Sequence, residues 1–483
     1  MFERNTELKE LAMNEIEKHR VTVNHDLYRS RYHLMPPVGL LNDPNGFIQW
    51  RGVYHVFFQW MPFKTDHGAK YWGHYTSTDL VHWELQEPAL APGDWYDKNG
   101  CYSGSAIENE DKMLLFYTGN VKDENGHRET YQCVAESIDG VTFDKKGVVL
   151  HLPEGYTPHF RDPKVWEHQG TWYMVIGSQN LEEEGRVVLF ESMDLKNWKL
   201  KGEVTGSGQK EIGPFGFMWE CPDLFELDGT DVLLFSPQGL EPEGHLYQNM
   251  YQTGYLTGKL DYESGQMSHG TFIELDRGFE FYAPQTTMDE KGRRLLIGWM
   301  GVPEQGEEYH PTIENKWIHQ LTIPRELHLE NDRLIQRPLP ELEMMRHYKV
   351  QKTMELTDEQ VEWKEMDGGT AYELLVQLHT IDGAFSVAFR NNAEMTFDSI
   401  SQLLSFKRKS FVDGKEEVRS CHMKNVHELR FFVDSSSIEV FVNNGEEVFT
   451  SRFFPEHGEV SLVFEVIGQT HFEATKWELN SDN

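Results

Sequence analysis

Five short, strongly apolar runs of β character punctuate the first two thirds of the chain: YHVFFQW from Tyr54, MLLFYTG from Met113, WYMVIGS from Trp172, VLLFSPQ from Val232 and LLIGWMG from Leu295. They begin 59, 59, 60 and 63 residues apart. So regular a period means that one supersecondary unit is repeated and buries its faces against its neighbours, as in solenoids and propellers. Between the runs a second phrase recurs, STDLVHWE, SIDGVTFD and SMDLKNWK, so each unit reads as several short strands joined by turns. No long helical pattern follows the strands, which argues against an α/β barrel. The expected fold is all-β, a five-bladed β-propeller of four-stranded blades. A large β-sandwich with coincidental spacing is the weaker alternative.

The period ends near Leu342. Beyond it, YELLVQLHT, AFSVAFRNN, LRFFVD, SIEVFVNN and EVSLVFEVI alternate as antiparallel strands, with a hairpin signal at Asn443-Asn444-Gly445. A C-terminal β-sandwich is therefore expected, after a joint at Pro338 and Pro340 where regular structure is interrupted. The expected division is residues 1–32 as an N-terminal helical extension, 33–337 as the propeller, and 338–483 as linker and sandwich. The sandwich is read as a support for the propeller or a surface for association, such as a homodimer.

Charge narrows the partners. The balance of 45 basic against 79 acidic residues gives a formal net charge of −34. Such a chain repels nucleic acid and anionic membrane surfaces, so neither is expected as a partner. The four cysteines show no metal-ligand spacing and read as reduced thiols. The charged N-terminal stretch lacks the apolar core of a signal peptide, and a cytoplasmic location is expected. No cofactor or metal is implied, since neither a phosphate-cradling glycine loop nor an HxxxH-type cluster occurs. His33, His55, His67 and His74 are scattered and read as structural or solvent-facing.

The chemistry is suggested about ten to twelve residues before each apolar run. There stand Asn42-Asp43-Pro44, Tyr102-Ser103-Gly104, Arg161-Asp162-Pro163, Glu220-Cys221-Pro222 and Tyr282-Ala283-Pro284. In a propeller these triplets converge at one end of the central channel, bringing Asp43, Asp162 and Glu220 together. Proline and the restricted residue before it stiffen each segment. Clustered carboxylates raise one another's pKa, and glycosidases exploit that contrast, one acid ionised as nucleophile or base and one protonated as proton donor. Arg161 is expected to favour ionisation of the adjacent Asp162. Met218 and Trp219 are expected to wall Glu220 with apolar surface. Asp43 is thus read as the nucleophile and Glu220 as the proton donor. Trp72, Tyr102, Tyr282 and Trp299 are candidates to stack on a sugar, and Gln59 to bind hydroxyls or satisfy a backbone group.

These motifs resemble those of glycoside hydrolase family 32, the invertases and β-fructofuranosidases. The resemblance rests on LLNDPNG, FFQW, YWGHYTSTDLVHW, YSGSA, FRDPKVW, WECPDLF, FYAPQT, GWMG and IPREL, in that order, and on LRFFVDSSSIEVFVNNGEEVFTSRFFP in the second domain. It implies a propeller followed by a sandwich, and cleavage of a β-fructofuranosidic bond with retention of configuration. It further implies that Asp43 is the nucleophile, that Glu220 is the acid and then base, and that Asp162 with Arg161 holds fructose hydroxyls. Asn42, Gln59, Trp72, Tyr102, Ser103 and Trp299 match sugar-contacting positions. Glu280 stands where the family commonly has Asp, which bears on contacts to the leaving-group side. The intracellular bacterial branch is the nearest likeness, with sucrose or sucrose 6-phosphate as the sugar substrate. A fructosyltransferase, a fructan or arabinan-type hydrolase and a non-catalytic sugar-binding propeller are the alternatives.

Overall fold

Every one of the five apolar runs forms the second strand of an antiparallel blade in the computed structural model, which describes residues 2–209, 212–364 and 369–480. These strands are Val53–Met61, Lys112–Lys122, Thr171–Asn180, Thr230–Gln238 and Arg294–Trp299. They are apolar on both faces because each blade is sandwiched between two others. In the second blade, Met113, Leu115 and Tyr117 pack toward Phe57 and Trp72 of the first. The intervening Leu114 and Phe116 pack toward Met174 and Ile176 of the third. The period-two alternation of a strand thus serves two interfaces at once. The five-bladed propeller read from the repeat is the observed architecture.

The recurring Ser-x-Asp phrase makes the turn between third and fourth strands. In the first blade the Asp79 carboxylate accepts the backbone N–H groups of Val81 (2.9 Å) and His82 (2.8 Å), while Ser77 Oγ accepts that of Leu80. Asp139 and Asp194 do the same in the next two blades. An acceptor two residues ahead of free N–H groups closes such a turn locally. The ring is closed by Trp317–Ile318, which pairs in parallel with Gly39 and Leu40 at the start of the first blade.

The last propeller strand is Arg333–Pro338, and the next long strand begins at Arg346. Among the described residues nine strands, the first of them Arg346–Glu362, form the C-terminal sandwich. Two strands, Tyr372–Phe389 and Leu462–Leu479, run through both layers and bend where Gly383 pairs with Gly468. Both glycines have positive φ, and a Cβ on either would fall about 2 Å from a backbone oxygen of the other strand. The bend encloses Phe385, Phe389, Phe431, Phe464 and Phe472.

Propeller and sandwich meet through buried charge. Arg325 donates to Asp276 (3.1 Å) on its own side and to Glu439 (2.6 Å) across the interface. His33 lies between Asp434 (2.8 Å) and Glu439 (2.9 Å). Glu280 pairs with Arg408 at 2.7 Å and accepts the Arg452 N–H, so it belongs to this seam and is not among the residues lining the propeller's cleft. At the N-terminus, the helix Phe2–Asn24 buries Ala12, Ile16 and Val23 against the propeller.

Candidate active site

The five triplets are five β-bulges. In every innermost strand the pairing with the apolar run slips by one residue at this place: between Leu41 and Pro44, Tyr102 and Gly104, Arg161 and Lys164, Glu220 and Asp223, and Tyr282 and Gln285. A proline cannot donate to the ladder, so a bulge is where a central strand tolerates one. The bulged backbone is re-aimed, and in three blades its middle residue has positive φ: Asp162 (69°), Cys221 (49°) and Ala283 (47°). Non-glycine residues hold that conformation only when their surroundings impose it, and such strain gathers at functional sites.

Middle residues converge on the axis. Asp43 Oδ2 accepts a 2.5 Å hydrogen bond from Ser103 Oγ, and its Oδ1 accepts Asn42 Nδ2 at 3.1 Å. The Cys221 thiol lies 3.8 Å from Asp43 Oδ2 and 3.5 Å from Asp162 Oδ2, and the Cys221 N–H donates to Asp162 Oδ2 at 3.0 Å. Side chains from four blades therefore enclose two carboxylates. Burial raises the Asp43 pKa, the Ser103 bond pulls it back, and the Glu220 charge raises it further. Asp162 is pushed up to about 7 by burial; the Arg161 charge opposes this, while Glu220 and Asp43 add to it.

Glu220 is the first residue of its triplet and so points elsewhere. Its Oε1 accepts both Arg161 Nε (2.9 Å) and Arg161 Nη2 (2.6 Å). Its Oε2 accepts Gln238 Nε2 (2.9 Å) and the Tyr282 hydroxyl (2.7 Å). Arg161 favours ionisation of Asp162 through space, as expected, while its bonded partner is Glu220. The expected apolar wall is corrected. Trp219 turns into the core between blades, where its indole stacks on Phe235 at 4.1 Å and donates to the Phe215 carbonyl, and Met218 is fully buried.

A cleft of 720 Å³ opens over the three acids, and Asn42, Gln59, Tyr102, Ser103, Arg161, Tyr282 and Trp299 all line it. Gln59 also donates to the Cys101 carbonyl, so it serves backbone and cleft together. Trp72 is the exception among the expected sugar contacts. It has no exposed surface, packs between Phe57 and Tyr117, and donates its indole N–H to the Tyr102 carbonyl at 3.1 Å. Its place is behind Tyr102. Of the four early histidines only His67 reaches the cleft, where it pairs with Glu307; His55 and His74 stack on each other in the blade.

Several cleft residues were not singled out from sequence. Lys70, pushed down to about 7 by burial, donates to Asn42 Oδ1 at 2.7 Å and so orients the amide that touches Asp43. Gln238 ends the run VLLFSPQ much as Gln59 nears the end of YHVFFQW, a signal that was available. Lys122, Arg128 and His159 line the wall formed by the second and third blades.

Carboxylates from separate blades facing one cleft are the arrangement by which glycosidases cleave their bond. Residues 33–338 match the glycosyl hydrolases family 32 N-terminal domain, and 341–478 match the family 32 C-terminal domain. The chain belongs to glycosyl hydrolases family 32. It is 52% identical over 480 residues to a sucrose-6-phosphate hydrolase of Bacillus subtilis (strain 168), with 98% of each chain covered. Among solved structures it is similar to sucrose-6-phosphate hydrolase from Lactobacillus gasseri, at 31% identity and TM-score 0.88, covering 97% of this chain and 96% of that one. It is also similar to a mutant of a Bombyx mori GH32 β-fructofuranosidase in complex with sucrose, at 34% identity and TM-score 0.85 with 98% of each chain covered.

Proposed function

We propose that the protein hydrolyses the β-fructofuranosidic bond of sucrose 6-phosphate, and of sucrose, through a fructosyl-enzyme intermediate. The observation that carries this reading is the division of labour among the acids. Asp43 and Asp162 are held together at the floor of the cleft, while Glu220, one residue from the shared thiol, sits on the wall among three donor side chains.

Asp43 attacks the anomeric carbon of fructose, forming a carbon–oxygen bond as the glycosidic bond breaks. Glu220 gives its proton to the departing glucosyl oxygen. Water then gives a proton back to Glu220 and attacks the same carbon, which frees the Asp43 carboxylate and releases fructose with its configuration retained. Ser103 and Asn42 keep Asp43 ready by donating to the charged form. Asp162 accepts sugar hydroxyls and opposes the positive charge that develops on the ring. Tyr102 supplies aromatic surface, while Tyr282 and Trp299 are buried in the cleft wall, where the Tyr282 hydroxyl holds Glu220. The four cysteines are all buried and unbridged, which supports a reducing, intracellular location.

The test is to trap the intermediate. In Glu220→Gln, incubated with β-fructofuranosyl fluoride, whose leaving group needs no proton, and quenched in acid, intact-mass and peptide analysis should find one anhydrofructose unit on Asp43. Fructose released with inverted configuration by the native protein would sink the reading.

A further inference from the structure

Two cations on the cleft wall have no bonded counter-ion among the described residues, in a chain whose net charge is −34. Lys122 and Arg128 are register partners at the end of a hairpin in the second blade, and both line the cleft. Among the described residues neither side chain makes an ion pair or a hydrogen bond. The acids adjacent in sequence are committed elsewhere: Asp123 holds the hairpin tip, accepting the backbone N–H groups of Asn125 and His127 at 2.8 Å and facing the His127 ring, and Glu129 accepts the Tyr131 hydroxyl at 2.6 Å. Glu220 is bonded to Arg161 and reaches Arg128 only through space.

A third donor points the same way. Arg161 Nη1 lies 3.0 Å from His159 Nδ1, and a guanidinium only donates, so Nδ1 accepts and the ring proton sits on Nε2. His159 therefore offers a neutral N–H beside the two cations. This group lies next to Glu220, since one guanidinium touches both His159 and Glu220. If the fructosyl carbon lies between Asp43 and Glu220, the departing sugar extends past Glu220 toward this wall. Elsewhere the lining carries Glu304, and His67 there is already paired with Glu307.

Resting on the fructosidase reading above, we propose that Lys122 and Arg128, with His159 Nε2–H, form a phosphomonoester subsite that selects a substrate phosphorylated on its leaving-group sugar. Two cations and a neutral donor match the charge and the three terminal oxygens of a phosphate dianion. An uncharged sugar leaves the same wall without a counter-ion, so the subsite discriminates by what the substrate carries.

The test compares kcat/KM for sucrose 6-phosphate and for sucrose in the native protein and in the double variant Lys122→Gln, Arg128→Gln. The ratio of the two constants should fall by on the order of 10²-fold, the usual effect of losing two charge-assisted contacts. A ratio that stays within about threefold of native, or a native protein with no preference for the phosphorylated sugar, overturns the subsite while leaving the fructosidase reading intact. A native protein that cleaves neither sugar overturns both. A second measurement needs no variant: glucose 6-phosphate should inhibit native sucrose hydrolysis far more strongly than glucose does, and equal inhibition overturns the proposal.

Discussion

Asp43 and Asp162 share one cysteine yet carry different burdens. Asp43 receives two side-chain donors, whereas the raised Asp162 receives a backbone N–H and a thiol. Replacing Asp43 with Asn removes the proposed nucleophile while keeping its shape, and initial rates on sucrose should fall at least about 10⁴-fold with the melting temperature little changed. Asp162 makes a prediction of opposite kind. Its folded pKa, about 7, lies above the ordinary aspartate value of 3.8. Between those values the unfolded chain releases a proton that the folded protein retains, so this residue subtracts stability progressively as pH rises through that window. Asp162→Asn should therefore be more stable than the native protein at pH 7.5, by roughly 1–3 kcal/mol, and indistinguishable from it near pH 4. Paired urea titrations at the two pH values check this; equal stability at both would refute it. The acids were legible in the sequence because each stands in a proline-marked or bulge triplet. The partner of Arg161 was not, because positive φ at Asp162 sends consecutive side chains to different neighbours.

At the scale of the strand, the bulges explain both what sequence could show and what it could not. A proline inside a run that otherwise reads as a central strand announces a bulge, so the position of the site was readable four times out of five from Pro44, Pro163, Pro222 and Pro284. Residues directly opposed across two strands share a face, so register alone does not say which of them reaches the cleft, and Trp72 shows the consequence. It pairs with Gln59, whose side chain reaches the cleft, yet its indole fills the gap between blades and holds the Tyr102 carbonyl. Trp72→Phe should cost about 2 kcal/mol of stability by loss of volume and of a buried donor. Thermal melts and sucrose kinetics on the same preparation separate the roles: a platform for sugar would raise KM at unchanged stability, whereas a support behind Tyr102 shows its loss first in the melt.

Across the whole molecule, the seam between propeller and sandwich is held by charges that no local pattern reveals, since His33, Asp276, Arg325, Asp434 and Glu439 come from segments far apart in sequence. The repeat and the change of pattern near Leu342 were enough to expect two domains, but not to say what joins them. Burying such charges is costly, and they persist only because each is matched. Glu439→Gln leaves Arg325 and His33 short of a carboxylate, and a broken buried network costs roughly 3–5 kcal/mol. The signs across pH follow from the groups themselves. Burial pushes Asp434 and Glu439 up, but His33, and Arg325 for Glu439, outweigh it, so both sit below the usual carboxylate range. Their contribution is present above that range and is lost as pH falls through their lowered values. Burial pulls His33 down, but the two carboxylates outweigh it and leave its pKa raised. Its contribution is complete below the ordinary imidazole value of 6.5 and is lost as pH climbs through the raised one. The seam should accordingly be firmest between about pH 5 and 6.5, and calorimetry there should show both domains of the native protein melting in one transition. Glu439→Gln should separate that transition into two, with its deficit narrowing in acid, where the native glutamate takes up a proton and the two proteins become alike. A single transition in the variant, or a deficit that does not change with pH, would mean that apolar contact rather than this network couples the domains.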